Sequence, residues 1–358
     1  MIPKHLQDLR VCLVAAPLVA RTGVYRSARQ TVDEARRQGL PWSLVLGVSN
    51  QADGEPAGPV EEWVDEFECE PASLLGVFRL RGLLARNIHV RTSDLIISLN
   101  PQTDMALAVS KKPWVAYLRG LPWPAPGESS VPKRLIWRYL EQLSLLRSKE
   151  AWVTTQVLQR QIPKIHDPKL LPAGIKRIER SYDGVEQRHR VVWAGRFNRD
   201  KNPDLFLEIM STPDLSRLTG IMYGTGPMKE GLSSRSSNNV AVGEWVAPER
   251  LWDDCLVYLG TSHREAFGRS AVEAAMSGIP VVLSNSFGAA ELLITDSNLA
   301  ERFILPNDQP DRWVRAILDL YSDPSLRAAL SEHVFLNSQQ LTIQSSVAQI
   351  VQRVAQII

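Results

Sequence analysis

The sequence predicts an α/β protein of two domains, each built around a parallel β-sheet. Its 358 residues are too many for one ordinary hydrophobic core and suit two. Short apolar runs alternate with longer segments of helical period, which is the pattern of βαβ units. The 44% hydrophobic and 22% charged residues are typical of a soluble globular protein. No apolar run reaches the roughly 18 residues that cross a bilayer.

Buried strands of the first half are predicted where a short apolar run is bounded by turn residues. These runs cover residues 11–16, 42–48, 95–99, 114–118 and 151–155, with a closing segment at 170–174. Helical periodicity predicts helices over residues 25–38 and 132–148. The Gly/Pro-rich segments 17–23 and 51–59 are expected to be loops, and the acidic run 61–70 is expected at the surface.

The second half repeats this alternation and ends in a helix. Its predicted strands are residues 191–195, 220–223, 240–242, 257–259 and 280–284. We therefore expect an N-terminal domain of residues 1–175 and a second domain of residues 176–335. The remaining segment, residues 336–358, carries Val, Ala and Ile at helical spacing. It is predicted to form a helix.

The net charge of +2 conceals an uneven distribution along the chain. Residues 71–190 contain 20 Lys and Arg against 9 Asp and Glu, a balance of +11, whereas residues 1–70 carry −4 and residues 191–358 carry −5. Two interpretations stay open. In the first, the basic residues lie on helix faces that are exposed to solvent. In the second, they bind an anionic partner such as a phospholipid surface, a phosphorylated acceptor or nucleic acid.

Cysteine usage and the N-terminus both indicate a reducing compartment. Cys12, Cys69 and Cys255 are widely spaced and odd in number, which predicts neither a disulfide framework nor a zinc site. The apolar stretch at residues 11–18 is too short and wrongly flanked for a signal peptide. We therefore expect a cytoplasmic protein.

The most informative motif is SHREAFGRSAVEAAMSGIPVV at residues 262–282, which follows a predicted strand. Gly268 can begin a helix whose first amide groups face an anion. Glu265 precedes that helix, and Glu273 lies inside it. Two carboxylates at the carboxyl edge of a parallel sheet suit recognition of hydroxyls on a sugar nucleotide. The alternative is that Glu273 only stabilises the start of the helix.

Two further motifs precede it. The segment AGRFNRDKNP at residues 194–203 places Arg196 and Lys201 in a loop after a strand. A planar guanidinium and a mobile ammonium together fit a diphosphate, although two exposed loop cations are the simpler interpretation. In YGTGP, Gly224 and Gly226 let the backbone approach a ligand, but Gly-x-Gly alone is a common pattern.

In order and spacing, the Gly-Arg…Lys, Gly-x-Gly-Pro, Glu-x7-Glu and Gly-x-Pro-Val-Val patterns resemble those of the large retaining glycosyltransferase family usually numbered four. The correspondence is close over residues 191–293 and looser elsewhere. It implies GT-B architecture: two Rossmann-like domains facing across a cleft. The N-terminal domain would bind the acceptor, and the C-terminal domain would bind the nucleotide sugar. The C-terminal helix, residues 336–358, would pack back toward the N-terminal domain.

The resemblance also implies a role for each matching residue. Arg196 and Lys201 would hold the donor diphosphate and stabilise the negative charge that grows on it as the sugar leaves. Glu265 would contact sugar hydroxyls, and Glu273 would bind the ribose. The remaining donor-binding residues would be Gly23, Gly195, Gly224, Gly226, Trp245, Val246, Ala266, Phe267 and Gly268.

Several positions depart from the family pattern. Members commonly carry His-Gly after the strand equivalent to residues 114–118, whereas this chain has Arg119 followed by glycine. Arg119 is an obligate cation, and we count it among the catalytic candidates or as a ligand of an anionic acceptor. Other departures are Asn202 in place of a glycine, Thr261 in place of a proline and Phe287 in place of a glycine.

The resemblance therefore predicts a retaining glycosyltransferase of hexosyltransferase type that needs no cofactor. The donor would be a UDP-, GDP- or ADP-sugar. No Asp-x-Asp motif is present, so we expect catalysis without a metal. The acceptor would be lipid-linked, DNA or protein, and a lipid acceptor would make the enzyme peripheral at a membrane. A non-catalytic nucleotide-sugar binder and a sugar-nucleotide 2-epimerase remain as alternatives, and the oligomeric state stays open.

Overall fold

The computed structural model describes residues 7–21, 23–54, 57–59, 61–70, 73–120, 130–244, 246 and 248–358. The chain divides into two compact units. Unit 1 is Met1–Gly174 together with Ile343–Ile358, and unit 2 is Ile175–Thr342. Each unit contains a parallel sheet with helices, which confirms the predicted α/β class.

The described residues of unit 1 form a sheet of seven strands, all parallel to their neighbours. They are Val11–Arg21 (β1), Ser43–Gly54 (β2), Val64–Glu68 (β3), Leu95–Ser98 (β4), Trp114–Leu118 (β5), Ala151–Val153 (β6) and Lys169–Leu170 (β7). Its helices in chain order are Gly23–Arg37 (α1), Leu74–Arg86 (α2), Ile88–Thr92 (α3), Pro101–Leu107 (α4), Val131–Leu145 (α5) and Gln156–Gln161 (α6). The strand order is β3-β2-β1-β4-β5-β6-β7.

In unit 2, the part of the chain that the structure describes forms a sheet of six strands, again parallel. They are Arg190–Ala194 (β8), Thr219–Tyr223 (β9), Val240–Gly243 (β10), Cys255–Gly260 (β11), Val281–Ser284 (β12) and Ile304–Leu305 (β13). Its helices are Pro203–Met210 (α7), Lys229–Arg235 (α8), Pro248–Leu251 (α9), Arg269–Met276 (α10), Ala290–Leu293 (α11), Ser297–Phe303 (α12), Pro310–Ser322 (α13) and Pro324–Ser338 (α14). The strand order is β10-β9-β8-β11-β12-β13.

Both sheets are doubly wound. In each, the chain first adds strands to one side of the first strand and then returns to add the fourth strand on its other side. The order reverses between β1 and β4 in unit 1 and between β8 and β11 in unit 2. In open parallel sheets, ligands bind outside the carboxyl ends of the strands at this switch point. Each unit therefore has one sheet edge where a ligand is expected.

The last helix, Ile343–Ile357 (α15), belongs to unit 1. Four of its apolar side chains lie in the same buried core as β1, β2 and β4: Val347, Ile350, Val351 and Val354. Their spacing puts them on one face of the helix. Unit 2 continues to Thr342, past the boundary at residue 335 that the sequence indicates, because α14 extends to Ser338.

The prediction that residues 17–23 and 51–59 are loops is wrong in part. β1 continues to Arg21 and β2 to Gly54, and these two residues pair. Pro17 has no N–H for the ladder, but register shifts before and after Leu18 act as bulges that let the pairing resume. The acidic run 61–70 contains β3, an edge strand, where charged side chains hinder pairing with other chains.

Two carboxylic acids are buried together in unit 1. Asp104 in α4 is 2% exposed and Glu141 in α5 is fully buried. Burial raises the pKa of Asp104 to about 7, and the neighbouring polar groups of Ser98 and Glu141 oppose this rise. Burial also raises the pKa of Glu141 well above its ordinary value, and the neighbouring charge of Asp104 adds to this. The pair therefore holds protons in the folded protein at a pH where the unfolded chain has lost them.

This pair predicts a pH dependence of stability. Its favourable contribution is complete below about pH 4, the usual pKa of both side chains, and is lost as the pH rises toward 7. Each pH unit in that interval should lower the free energy of unfolding by on the order of 1.4 kcal/mol per proton. Glu141→Gln should flatten this slope and raise the melting temperature at pH 8. Thermal melts from pH 4 to pH 8 measure this pH dependence, with Glu208→Gln, a change at an exposed glutamate, as the control. Identical slopes of stability against pH in the two variants would contradict the prediction.

The three cysteines are free thiols. Burial raises the pKa of Cys12 to about 12 and that of Cys69 to about 11, so both thiols stay protonated at neutral pH. Cys255 is also buried, in β11. In the part of the chain that the structure describes, none of the helices combines the length and apolar character needed to cross a bilayer.

Candidate active site

The candidate site of unit 2 lies at the carboxyl ends of β8 and β11, the two strands at its switch point. These strands are paired neighbours. The loop after β8 carries Gly195, Arg196 and Lys201, and the loop after β11 carries Glu265. Two segments that the sequence singles out independently thus leave the sheet side by side, where doubly wound folds bind ligands.

The loop after β8 is a capped turn. The side chain of Asn198 accepts a hydrogen bond from the amide of Lys201 at 3.1 Å. Asn202 then adopts a left-handed conformation, φ +48°, before Pro203 begins α7. Asparagine tolerates this conformation better than other residues with a side chain. This explains why Asn202 can replace the glycine that usually follows the lysine.

Lys201 and Glu265 form an ion pair. The ammonium Nζ of Lys201 contacts Oε2 of Glu265, although the two residues are 64 positions apart. Their side chains are 25% and 17% exposed, so both remain accessible to a ligand. The structure therefore brings together two of the predicted catalytic residues, one cationic and one anionic.

Thr261, which stands where the family pattern has a proline, holds the lysine loop in place. Its hydroxyl is fully buried, donates to the carbonyl of Asn202 at 2.8 Å and lies 3.2 Å from the carbonyl of Lys201. The same oxygen accepts from Nε1 of Trp193 at 3.0 Å. The end of β11 is thus tied to the lysine loop by bonds that a proline could not make. The amide of His263 donates to the carbonyl of Asp200 at 2.9 Å and strengthens this tie.

The loop that carries Glu265 is supported by the ring of Phe287. Gly268 has φ +93°, and a Cβ there would lie 2.0 Å from Cε1 of this ring. A Cβ at Gly260 would lie 2.6 Å from Cε2. Glu265 forms an isolated β-bridge with Phe287. The amide of Gly288 donates to the carbonyl of Glu265 at 3.0 Å. Phe287 therefore fills the space that two glycines leave behind the loop.

The rest of this loop leads into α10. Ala266 is half-buried and Phe267 is buried, with its carbonyl accepting from the amide of Ala289 at 2.8 Å. Gly268 is the N-cap residue of the helix. The amides of Ala271 and Val272 donate to the carbonyl of Gly268 at 3.2 and 3.3 Å, which closes the first turn.

Glu273 lies in the second turn of α10 and is 7% exposed. Because the first turn contains no acidic residue, stabilisation of the helix start does not account for it. Arg269 Nη2 lies 3.9 Å from Glu273 Oε1. Burial raises the pKa of the Tyr258 hydroxyl, and the charges of Glu265 and Glu273 raise it further. Both glutamates therefore act on the same buried phenol at the end of β11.

The glycines after β9 have a packing role. A Cβ at Gly224 would lie 1.9 Å from the carbonyl oxygen of Gly195, and one at Gly226 would lie 2.6 Å from that of Phe197. The amide of Phe197 donates to the carbonyl of Thr225 at 2.8 Å. The turn after β9 therefore packs directly on the loop after β8, and close backbone approach within the protein accounts for both glycines.

Three further predicted positions follow β8 and β10 in the sequence. The Arg196 side chain is exposed and makes no hydrogen bond or ion pair with any residue that the structure describes. Val246 is partly buried. Trp245 lies outside the described residues.

Arg119 and Gly23 lie together in unit 1. The guanidinium of Arg119, just after β5, stacks 4.7 Å from the ring centre of Tyr117, and its Nη2 donates to Oγ of Ser27. Ser27 is in the second turn of α1, which begins at Gly23. Nothing lies within 4 Å of the place where a Cβ of Gly23 would stand, so packing does not explain this glycine.

The described residues contain no cluster of three or more His, Cys, Asp and Glu side chains that could hold a metal ion. The charged groups at the unit 2 switch point include the Lys201–Glu265 pair. Arg196 lies in the same loop as Lys201, and Glu273 lies in α10, the helix that follows Glu265. Such a set can bind phosphate through its cations and hydroxyl groups through its carboxylates.

Comparison with known proteins bears on the same region. Residues 175–335 match the family described as Glycosyl transferases group 1. The D-inositol 3-phosphate glycosyltransferase of Paenarthrobacter aurescens is 27% identical over 179 residues, which are 45% of this chain and 42% of that protein. The lipopolysaccharide core biosynthesis mannosyltransferase LpcC of Rhizobium leguminosarum is 27% identical over 185 residues, 47% of this chain and 49% of that protein. The chain spans less than half the length of these relatives.

Solved structures match the whole chain. Sucrose-phosphate synthase from Thermosynechococcus elongatus superposes with a TM-score of 0.76 at 17% identity and covers 98% of this chain and 99% of its own. HepE of Anabaena, solved with UDP and glucose, gives 0.72 at 18% identity and covers 98% and 100%. At these identities the likeness establishes the fold. The chain thus has the GT-B fold of two Rossmann-like domains, and its second unit is similar to the group 1 glycosyltransferases over residues 175–335.

Proposed function

We propose that this chain transfers a sugar from a nucleoside-diphosphate sugar to an acceptor, with retention of configuration and without a metal ion. The Lys201–Glu265 ion pair at the switch point of unit 2 is the observation that carries the proposal. HepE, solved with UDP and glucose, has the same fold and supports a nucleotide-sugar donor. Retention is supported by the resemblance to the family.

The chemistry of the donor explains why this pair is suitable. In a sugar nucleotide the anomeric carbon is bonded to an oxygen of the outer phosphate, so phosphate and sugar hydroxyls are a few bonds apart. A site for both needs a cation next to a hydrogen-bond acceptor. Lys201 and Glu265 provide these groups in contact with each other. The donor diphosphate would take the place of part of this contact.

Arg196 and Lys201 would also stabilise the leaving group. When the bond between the anomeric carbon and the phosphate oxygen breaks, negative charge increases on the diphosphate. A preorganised cation at that position lowers the barrier because it interacts more strongly with the transition state than with the ground state. Lys201 is held in place by its loop, which Asn198 caps and Thr261 ties to β11.

Metal independence is a separate prediction. Two cations and the N-terminus of α10 can together neutralise a diphosphate, and the sequence lacks Asp-x-Asp. We expect donor turnover to continue in EDTA at a rate close to that in its absence. Loss of turnover on chelation, with recovery in magnesium or manganese, would show that this part of the proposal is wrong.

Glu273 is proposed to bind the ribose of the donor. Removing a charged hydrogen-bond partner costs about 1.5–3 kcal/mol, so Glu273→Ala should weaken donor binding by about 10- to 150-fold. Isothermal titration with UDP, GDP and ADP measures this, and Glu208→Ala, which removes an exposed glutamate of α7, is the control. Nucleotide affinity equal to that of wild type would exclude this role for Glu273.

For the acceptor we propose an anionic molecule. Arg119 presents a fixed cation at the carboxyl end of β5, and one relative is named for an inositol 3-phosphate acceptor. A panel of UDP-, GDP- and ADP-sugars, scored by thermal stabilisation and then by product analysis, tests the function. A new glycoside supports transfer. An epimerised donor would instead indicate a 2-epimerase, and saturable binding with neither product would indicate a nucleotide-sugar binder.

A further inference from the structure

Two helices of unit 1 direct large apolar side chains into solvent. In α2 only Leu80 and Leu84 are buried, whereas Leu74, Leu75 and Phe78 are each more than half exposed. These three residues have the spacing of one helix face. An amphipathic helix of a soluble domain normally has the opposite arrangement, with its apolar side toward the core.

Helix α5 shows the same inversion more strongly. Its buried residues are Glu141, Ser144 and Leu145. The exposed side of this segment consists mainly of apolar residues that are each at least 43% exposed: Val131, Leu135, Ile136, Tyr139, Leu143 and Leu146. The outward face of α5 is therefore more apolar than its inward face.

The two helices share a neighbour in unit 1, since both pack against α4. Exposed apolar side chains gathered along a helix in this way mark an interaction surface in proteins that otherwise bury such side chains. We call the outward faces of α2 and α5 the α2–α5 surface.

The charge of the α2–α5 surface indicates its partner. Helices α2 and α5 contain six Lys and Arg and a single acid, Glu141, which is fully buried. Glu70, at the edge, pairs with Arg79. The exposed face thus combines apolar side chains with cations that are not balanced by acids within these segments. Such a combination fits an anionic bilayer, in which apolar groups enter the headgroup boundary and cations meet lipid phosphates.

We propose that the α2–α5 surface docks unit 1 onto an anionic phospholipid membrane. A second copy of the chain is a poorer partner, because a two-fold interface would place the cations of one surface against those of the other. Nucleic acid is also poorer, since phosphate contacts use the cations but leave the leucines and isoleucine without a role. This docking does not depend on the proposed transfer activity.

Co-sedimentation of the full chain with vesicles tests the proposal. We expect binding to phosphatidylcholine vesicles in which about 30 mol% of the lipid is phosphatidylglycerol, which gives the vesicle surface its negative charge. Binding to pure phosphatidylcholine should be much weaker. Affinity should fall as salt rises, because the screening length shortens to about 8 Å at physiological ionic strength.

Two triple variants separate the electrostatic and apolar contributions. Lys133→Ser, Arg134→Ser and Arg138→Ser together should weaken vesicle binding by about 100-fold at low salt, at about fivefold for each cation near the surface. Leu135→Gln, Tyr139→Gln and Leu143→Gln together should weaken binding at every salt concentration. The matched control is Ile165→Gln, Val185→Gln and Leu336→Gln, which removes exposed apolar groups elsewhere.

The outcomes are distinct. Wild-type affinity in both triple variants, or no vesicle binding by the wild type, overturns the proposal. Dimerisation that the glutamine variant abolishes, without vesicle binding, would assign the surface to a second copy. DNA binding without vesicle binding would assign it to nucleic acid. Thermal stabilisation by nucleotide sugars should persist in every variant, so failure of membrane docking would not be confused with failure of the donor site.

Discussion

The Lys201→Ala variant should turn over its donor about 100- to 1,000-fold more slowly than the wild type at saturating donor, the effect of removing one preorganised charge stabiliser. Arg196→Ala should produce a loss of similar size. The reason is that both cations would act on the charge that appears on the diphosphate as the sugar departs. Arg235→Ala, which breaks an exposed ion pair with Asp204 in the same unit, is the matched control and should keep wild-type turnover.

Stability measurements separate this role from a structural one. If the Lys201–Glu265 pair only stabilised the fold, Lys201→Ala and Glu265→Gln would lower the melting temperature and leave kcat near the wild-type value. We expect the reverse, with small changes in melting temperature, because partly exposed ion pairs contribute roughly 0–1 kcal/mol. A kcat for Lys201→Ala above a tenth of the wild-type value would contradict the catalytic role.

The Arg119→Ala variant should abolish transfer while donor affinity stays within a few-fold of wild type. Arg119 belongs to unit 1, where the Tyr117 ring and Ser27 hold its guanidinium. Arg119→Lys retains the charge but loses planar stacking and the fork of donors, so it should restore transfer only in part. Ser27→Ala removes one partner and should have a smaller effect than either.

Transfer to D-inositol 3-phosphate, the acceptor named for one relative, is a practical first assay of these variants. Isothermal titration with the nucleotide provides the matching measure of donor affinity. Wild-type transfer by Arg119→Ala would exclude the anionic-acceptor role of this residue. A parallel loss of nucleotide affinity would instead assign Arg119 to the donor.

The sequence was sufficient for the architecture where local pattern and tertiary structure agree. Apolar runs bounded by turns predict β4, β5, β8 and β9 to within one residue at each end. Their parallel arrangement follows from the helical segments between them. The meeting of Lys201 with Glu265 could also be anticipated, because both follow strands that end at the same sheet edge.

Other features depend on tertiary contacts that no local pattern reports. The pairing of Arg21 with Gly54 depends on bulges around Leu18. In the sequence, Thr261 is only a threonine at a position where the family pattern has proline. Its role becomes visible in the structure, where its hydroxyl donates to the carbonyl of Asn202 in the lysine loop at 2.8 Å. The burial of Glu141 in a helix with an apolar outer face runs against the expected amphipathic pattern.

Cleavage of nucleotide sugars in the presence of EDTA tests the central claim most directly. Release of UDP, GDP or ADP from the corresponding sugars can be followed by chromatography, with nuclear magnetic resonance to assign the anomer of the released or transferred sugar. We expect the wild type to cleave at least one donor with retained configuration. The Lys201→Ala variant should cleave the same donor at least about 100-fold more slowly. Equal cleavage by the two proteins, or no cleavage of any donor by the wild type, would contradict the proposed glycosyl transfer.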